Sequence, residues 1–194
     1  MLNFKRYIIL KISFKSIYKE VLENYKNFSS ILIYLNIINK SYSINSKNLM
    51  NEVGLEMKIA VSACLLGENC KYNGGNNYNK KLVDFVKDHE VISLCPEVLG
   101  GLATPRLPAE IVNGLVKQKD GISVDDEFKK GAKTALDIIN KNKVDLVILQ
   151  SRSPSCGVNN IYDGSFTGNL IKGKGVFAKI LEENNIKVID VENL

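Results

Sequence analysis

From Met57 onward the chain alternates short apolar runs with stretches of helical period, and this alternation limits the fold more than any other feature. Lys58–Ala63 reads as a buried strand, Lys80–Lys87 as a short helix with Leu82, Val83 and Val86 apolar, and Glu90–Leu94 as a second strand. Asp126–Asn142 is the clearest helix. Phe128, Ala132, Ala135, Leu136 and Ile139 fall on one stripe, and Ser123 or Asp125 stands where a cap is needed. Asp145–Gln150 reads as a third strand, apolar enough to be covered on both faces. Gly175–Glu183 reads as a further helix and Ile186–Val191 as a last strand. Strands alternating with helices predict an α/β fold. The expectation is a single domain with a mainly parallel, Rossmann-like sheet flanked by helices.

The first 56 residues have another character. Asn, Lys, Ile, Tyr, Ser and Leu dominate them, with one Gly and no Pro. They hold 8 Lys and Arg against 4 Asp and Glu, whereas residues 57–194 hold 18 against 17. The net charge of +5 thus sits mostly in this leader. Ile17, Val21, Tyr25 and Phe28 recur at helical spacing, so part of it suits an amphipathic helix. Met57 opens a natural first strand, and the leader is read as a mis-assigned start or as a disordered or helical extension. Lysines interrupt its apolar residues, no small-residue cleavage site follows, and no run is long enough to span a bilayer. Residues 57–194 show no basic face with interleaved aromatics, so neither a nucleic acid nor a membrane is expected as a partner.

Three of the four cysteines lie in motifs that directly follow apolar runs. They are Cys64 in VSACLLGENCKY, Cys95 in VISLCPEVLGG and Cys156 in SRSPSCGV. Parallel strands deliver their carboxyl ends to one edge of a sheet, so three thiols distant in sequence can meet there. Converging thiolates can hold a metal centre with one coordination position open. The bland alternative is three small buried hydrophobes. No pair forms a CxxC, which excludes a zinc ribbon, a thioredoxin-like site and a ferredoxin-type run. A reducing, cytoplasmic setting is expected, where cysteine clusters bind metal or do chemistry more often than they form bridges.

Other residues carry two readings each. Glu97, two residues after Cys95, can move protons or pair with Arg106. Arg106 can bind an anionic or carbonyl oxygen, or pair with Glu97 or Glu110. Ser153 can contact a substrate or stabilise a turn, as can Ser151 and Ser155. Gly74-Gly75, Gly100-Gly101 and Gly157 flank the thiols and allow close main-chain approach or ordinary turns. In Ile161 to Asn169, Tyr162 offers a stacking face and Asp163 a polar contact, or the run is a tight turn. His89, the only histidine, is expected on the solvated surface, and it leaves no room for a Ser-His-Asp triad. There is no P-loop and no GxGxxG fingerprint.

CLLGENCKYNGG, CPEVLGGLATPRLPAEI, SRSPSCG and IYDGSFTG, in this order, resemble the motifs of a bacterial domain-of-unknown-function family that includes the thiouracil desulfidases. The resemblance spans about residues 57–194. It implies a [4Fe-4S] cluster held by Cys64, Cys95 and Cys156, with Glu97 as the acid/base and Ser153 as a second polar catalytic residue. It implies that Cys70 lies near the cluster and not on it. The implied activity is non-redox conversion of C=S to C=O on a thiolated nucleobase such as 2-thiouracil, with a small molecule as the partner. Two other readings stay open on the residues themselves: a three-cysteine zinc enzyme, and a non-catalytic metal- or redox-sensing module.

Overall fold

The computed structural model describes residues 57–194, which form a compact unit of their own. The expectations for the leader fall outside the described residues. Lys58–Ser62 forms β1, Lys80–Val86 forms α1, Glu90–Leu94 forms β2 and Pro96–Leu99 forms the short α2. Ala109–Val112 and Leu115–Gln118 are β3 and β4, and Asp125–Asn142 is α3. Leu146–Leu149 is β5, Asn160–Tyr162 and Leu170–Lys172 are β6 and β7, Val176–Glu183 is α4 and Val188–Asp190 is β8.

The central sheet is parallel throughout, in the order β2-β1-β5-β8. Ala60 pairs with Ile92 on one side and Val147 on the other. Every residue of β5 is buried, as is β1 after Lys58, which is what a parallel strand covered on both faces requires. One face of the sheet receives α3 and α4. Ala60, Val147 and Leu149 pack there with Ala132, Ala135, Ile139, Phe177, Ala178 and Leu181. The α3 stripe is the one read from the sequence, with Leu136 packed at its margin. No helix among the described residues is long and apolar enough to cross a membrane.

Two antiparallel hairpins complete the unit. β3 and β4 meet at Asn113-Gly114, both with positive φ (51° and 81°). That is the backbone a two-residue hairpin turn of type I′ requires. β6 and β7 form the second hairpin. Its tip lies against β3, where the Phe166 N–H donates to Glu110 Oε2 at 3.0 Å.

The start of α3 departs from expectation. Val124 is the residue at the cap position, and neither Ser123 nor Asp125 caps it through a side chain. Asp125 instead accepts the buried Val116 N–H of β4 at 3.1 Å.

Candidate functional site

The carboxyl ends of β1, β2 and β5 share one edge of the sheet, and each feeds a cysteine loop. β1 runs into a single 3-10 turn, Ala63–Leu66, that carries Cys64. Gly67 closes this turn with φ 97°, a value glycine adopts without steric cost. The Asn77 N–H then bonds the Cys64 carbonyl at 2.9 Å, which folds the 67–77 loop back over the strand end.

β2 ends at Leu94, and Cys95 occupies the cap position of α2. Pro96 starts that helix with the fixed φ that its first position favours. Glu97 therefore lies in its first turn. The third loop follows β5. Ser153 Oγ accepts the N–H groups of Ser155 (3.0 Å) and Cys156 (3.1 Å). Gly157 sits so close to its neighbours that a Cβ there would lie 2.7 Å from the Asn160 carbonyl oxygen.

All four cysteines are free thiols, with Cys64 and Cys156 buried and Cys70 and Cys95 half-buried. The Cys70 thiol lies within hydrogen-bonding reach of both Cys64 and Cys95. Cys95 Sγ points at the Cys70 carbonyl at 4.0 Å. Cys156 is close enough to feel the charges of Cys95 and Glu97. Three loops thus deliver four sulfurs to one neighbourhood. Cys70 stands among them, between Cys64 and Cys95.

Each shifted thiol is held in its protonated form. The Cys64 thiol, opposed by the Cys95 thiol and aided by burial, pushes Cys70 up to about 11. Burial pushes Cys156 up to about 12, partly opposed by the hydroxyls of Ser62 and Ser155. Cys95 also shifts upward, through Cys70 and then burial. Crowded, half-desolvated thiols of this kind become thiolates when a cationic centre replaces their protons.

Soft sulfur donors suit iron–sulfur clusters and zinc. A single zinc would draw its ligand sulfurs to within about 4 Å of one another, given a Zn–S distance of about 2.3 Å. Among the described residues, no three His, Cys, Asp or Glu side chains are gathered tightly enough to hold one ion. A multi-atom cluster attaches its ligands at separate corners, which suits thiols delivered by three separate loops.

Glu97 and Arg106 form an ion pair at 2.6 Å, with side chains 17% and 6% exposed. Of the two partners considered for Arg106, the structure selects Glu97. Glu110 is instead occupied by Phe166. Asp163 accepts from Ser165 N–H at 2.9 Å, and Gly164 packs on the Ile111 carbonyl, so the 161–169 run is a docked tight turn. Its Tyr162 is half-buried.

His89 precedes β2, at the sheet edge opposite the thiols. It is half-buried and not fully solvated: its ring meets Phe85 edge-on at 5.9 Å, and Nδ1 is buried without a partner among the described residues. Two contributors at the thiol edge were missed. Asn77 Nδ2 lies 4.0 Å from Cys64 Sγ, and Ser62 accepts the Gln150 N–H at 3.0 Å while its hydroxyl reaches Cys156. Ser62 is the last residue of β1, two before Cys64, and that position was the available signal.

A sequence profile of the 2-thiouracil desulfurase family matches residues 59–193. The chain belongs to that family. The uncharacterized protein YbbK of Bacillus subtilis strain 168 is 36% identical over 146 residues, covering 70% of this chain and 97% of its own. Among solved structures, a [4Fe-4S]-dependent thiouracil desulfidase, TudS, is similar with a TM-score of 0.68 and 36% identity. That match covers 72% of this chain and 93% of the other. The 2-thiouracil desulfurase match thus spans the described α/β unit almost from end to end.

Proposed function

We propose that this chain is a [4Fe-4S]-dependent desulfidase. It replaces the sulfur of a thiolated pyrimidine, 2-thiouracil or a similar small molecule, with oxygen from water. The balance is C=S plus water giving C=O plus hydrogen sulfide, with no net electron transfer. The observation that carries this reading is the set of free thiols gathered at the carboxyl edge of β1, β2 and β5, beside the Glu97–Arg106 pair.

Cys64, Cys95 and Cys156 would hold the cluster, one from each strand-end loop. Bound there, such a cluster supplies a thiophilic, Lewis-acidic iron that no cysteine occupies. Glu97 handles the proton of the attacking water. Both Arg106 bonds fall on its Oε2, and among the described residues Oε1 takes no hydrogen bond. Ser153 accepts two main-chain N–H groups through its oxygen, and its hydroxyl hydrogen remains to donate to the substrate. Half-buried walls limit bulk water, which strengthens each of these contacts.

Anaerobic purification tests the proposal. The protein is expected to be brown, with iron and acid-labile sulfide each near four per chain, and to release uracil and sulfide from 2-thiouracil. Zinc in place of iron, or an iron-loaded protein inert towards thiolated pyrimidines, would overturn it.

A further inference from the structure

Arg106 spends every N–H of its side chain inside the protein. Nε and Nη2 both donate to Glu97 Oε2, at 2.9 and 2.6 Å. The second Nη2 hydrogen reaches the Cys70 carbonyl at 3.1 Å. Nη1 donates to the Ala103 carbonyl and to Thr104 Oγ1, each at 3.0 Å. A guanidinium has five N–H donors, so none is left for a substrate. The main-chain N–H of Arg106 adds a bond to the Tyr72 carbonyl at 2.7 Å.

These acceptors belong to separate segments. Cys70 and Tyr72 lie in the loop after β1, Glu97 in the first turn of α2, and Ala103 and Thr104 in the turn before Arg106 itself. An arginine reserved for substrate would keep donors open. The donors not used on Glu97 tie the pair to the backbone of the cysteine loop and of the turn before Arg106.

We propose that Arg106 is a positioning residue that clamps Glu97 through Oε2, leaves Oε1 for the reacting water and fixes that carboxylate relative to the Cys70 loop. The inference rests on the reading of Glu97 as the proton-handling group. Lysine cannot reproduce the clamp, because an ammonium is a point charge with three donors and no fork.

The test uses the protein purified anaerobically with its cluster, comparing wild type with Arg106→Lys, Arg106→Gln, Glu97→Gln and the Arg106→Gln/Glu97→Gln double variant. With 2-thiouracil as substrate, Arg106→Lys should lower kcat per cluster by about tenfold or more, as expected when a reacting group is misplaced. KM should stay within about threefold of wild type, because no substrate contact is lost. An unchanged kcat per cluster, a rise in KM alone, or activity lost only in proportion to lost iron would overturn the proposal.

Thermal unfolding decides the clamp independently of turnover. Arg106→Gln should lower the midpoint more in wild type than in the Glu97→Gln background, since only the first leaves a buried carboxylate unpaired. Equal falls would remove the clamp. A wild-type chain inert towards thiouracil with unequal falls would keep the clamp and reject the assigned reaction.

Discussion

Gly100 and Gly131 touch through their main chains. A Cβ on Gly131 would stand 1.8 Å from the Pro96 carbonyl oxygen and 2.8 Å from the Gly100 nitrogen. One on Gly100 would stand 2.1 Å from the Glu127 carbonyl oxygen. The short α2, which carries Cys95 at its cap and Glu97 in its first turn, is therefore seated directly on the backbone of α3. The missing side chains set the depth at which this part of the site lies.

A Gly→Ala change inside a helix ordinarily stabilises by about 0.5–1 kcal/mol. For Gly131→Ala the sign should reverse, because the new methyl group meets backbone that cannot rotate away. A loss of about 1–3 kcal/mol is expected, the usual cost of overpacking. Denaturant unfolding measures it. Iron content of the anaerobically purified variant should fall as well, since α2 must move to admit the methyl.

Serine substitution separates the four thiols. Cys64→Ser, Cys95→Ser and Cys156→Ser should each lose most of the bound iron and sulfide. Cys70→Ser should retain a substantial part of both, because its thiol bridges Cys64 and Cys95 without a strand end of its own. Elemental and sulfide analysis of the four proteins gives the answer. Equal loss in Cys70→Ser would place that thiol in the ligand set.

The parallel sheet was legible because its strands are buried on both faces and so appear as unbroken apolar runs, as in Leu146–Leu149. The α3 stripe was legible because Phe128, Ala132, Ala135 and Ile139 are all buried, the last three against the central sheet and Phe128 against Val116 and Val124. α2 was missed since four residues cannot display a period, although Pro96 after Cys95 is a helix-start signal. The first hairpin was missed although Asn113-Gly114 between apolar residues is a strong hairpin signal. The cysteine loops were legible from their strand-end placement. The exclusive pairing of Arg106 was not, because partner choice between Glu97 and Glu110 depends on where the second hairpin docks.

Asp125 should make folding stability depend on acid pH. Burial acts to raise its carboxyl, but the Lys129 ammonium at 2.6 Å and the Val116 N–H outweigh that and hold it below the ordinary carboxylate range. A carboxyl depressed in the folded state stabilises fully above its unfolded value, and the contribution is lost as pH falls through the folded one. The stability gap between wild type and Asp125→Asn should therefore be present at neutral pH and close on acidification. Asp125→Ala should cost about 1–3 kcal/mol at neutral pH, because it strands the buried Val116 N–H. Urea midpoints measured across the acid range check both. A gap that stays constant down to the acid limit would mean that charge plays no part at this position.

Ser153 joins two roles that one substitution can separate. Its oxygen accepts the N–H groups of Ser155 and Cys156, so it shapes the loop that delivers the Cys156 thiol. Ser153→Ala removes both acceptors and should cost about 1 kcal/mol, since the loop is only partly shielded and water can replace part of what is lost. If the hydroxyl also donates to the substrate, kcat per cluster should drop by about tenfold or more, the scale of one lost catalytic hydrogen bond. Ser153→Thr restores the oxygen and the hydrogen together, and should recover the iron content and part of the rate. Rate and iron content falling in strict proportion across these variants would confine Ser153 to holding the loop. A slow Ser153→Ala enzyme with a full complement of iron would assign it to the chemistry.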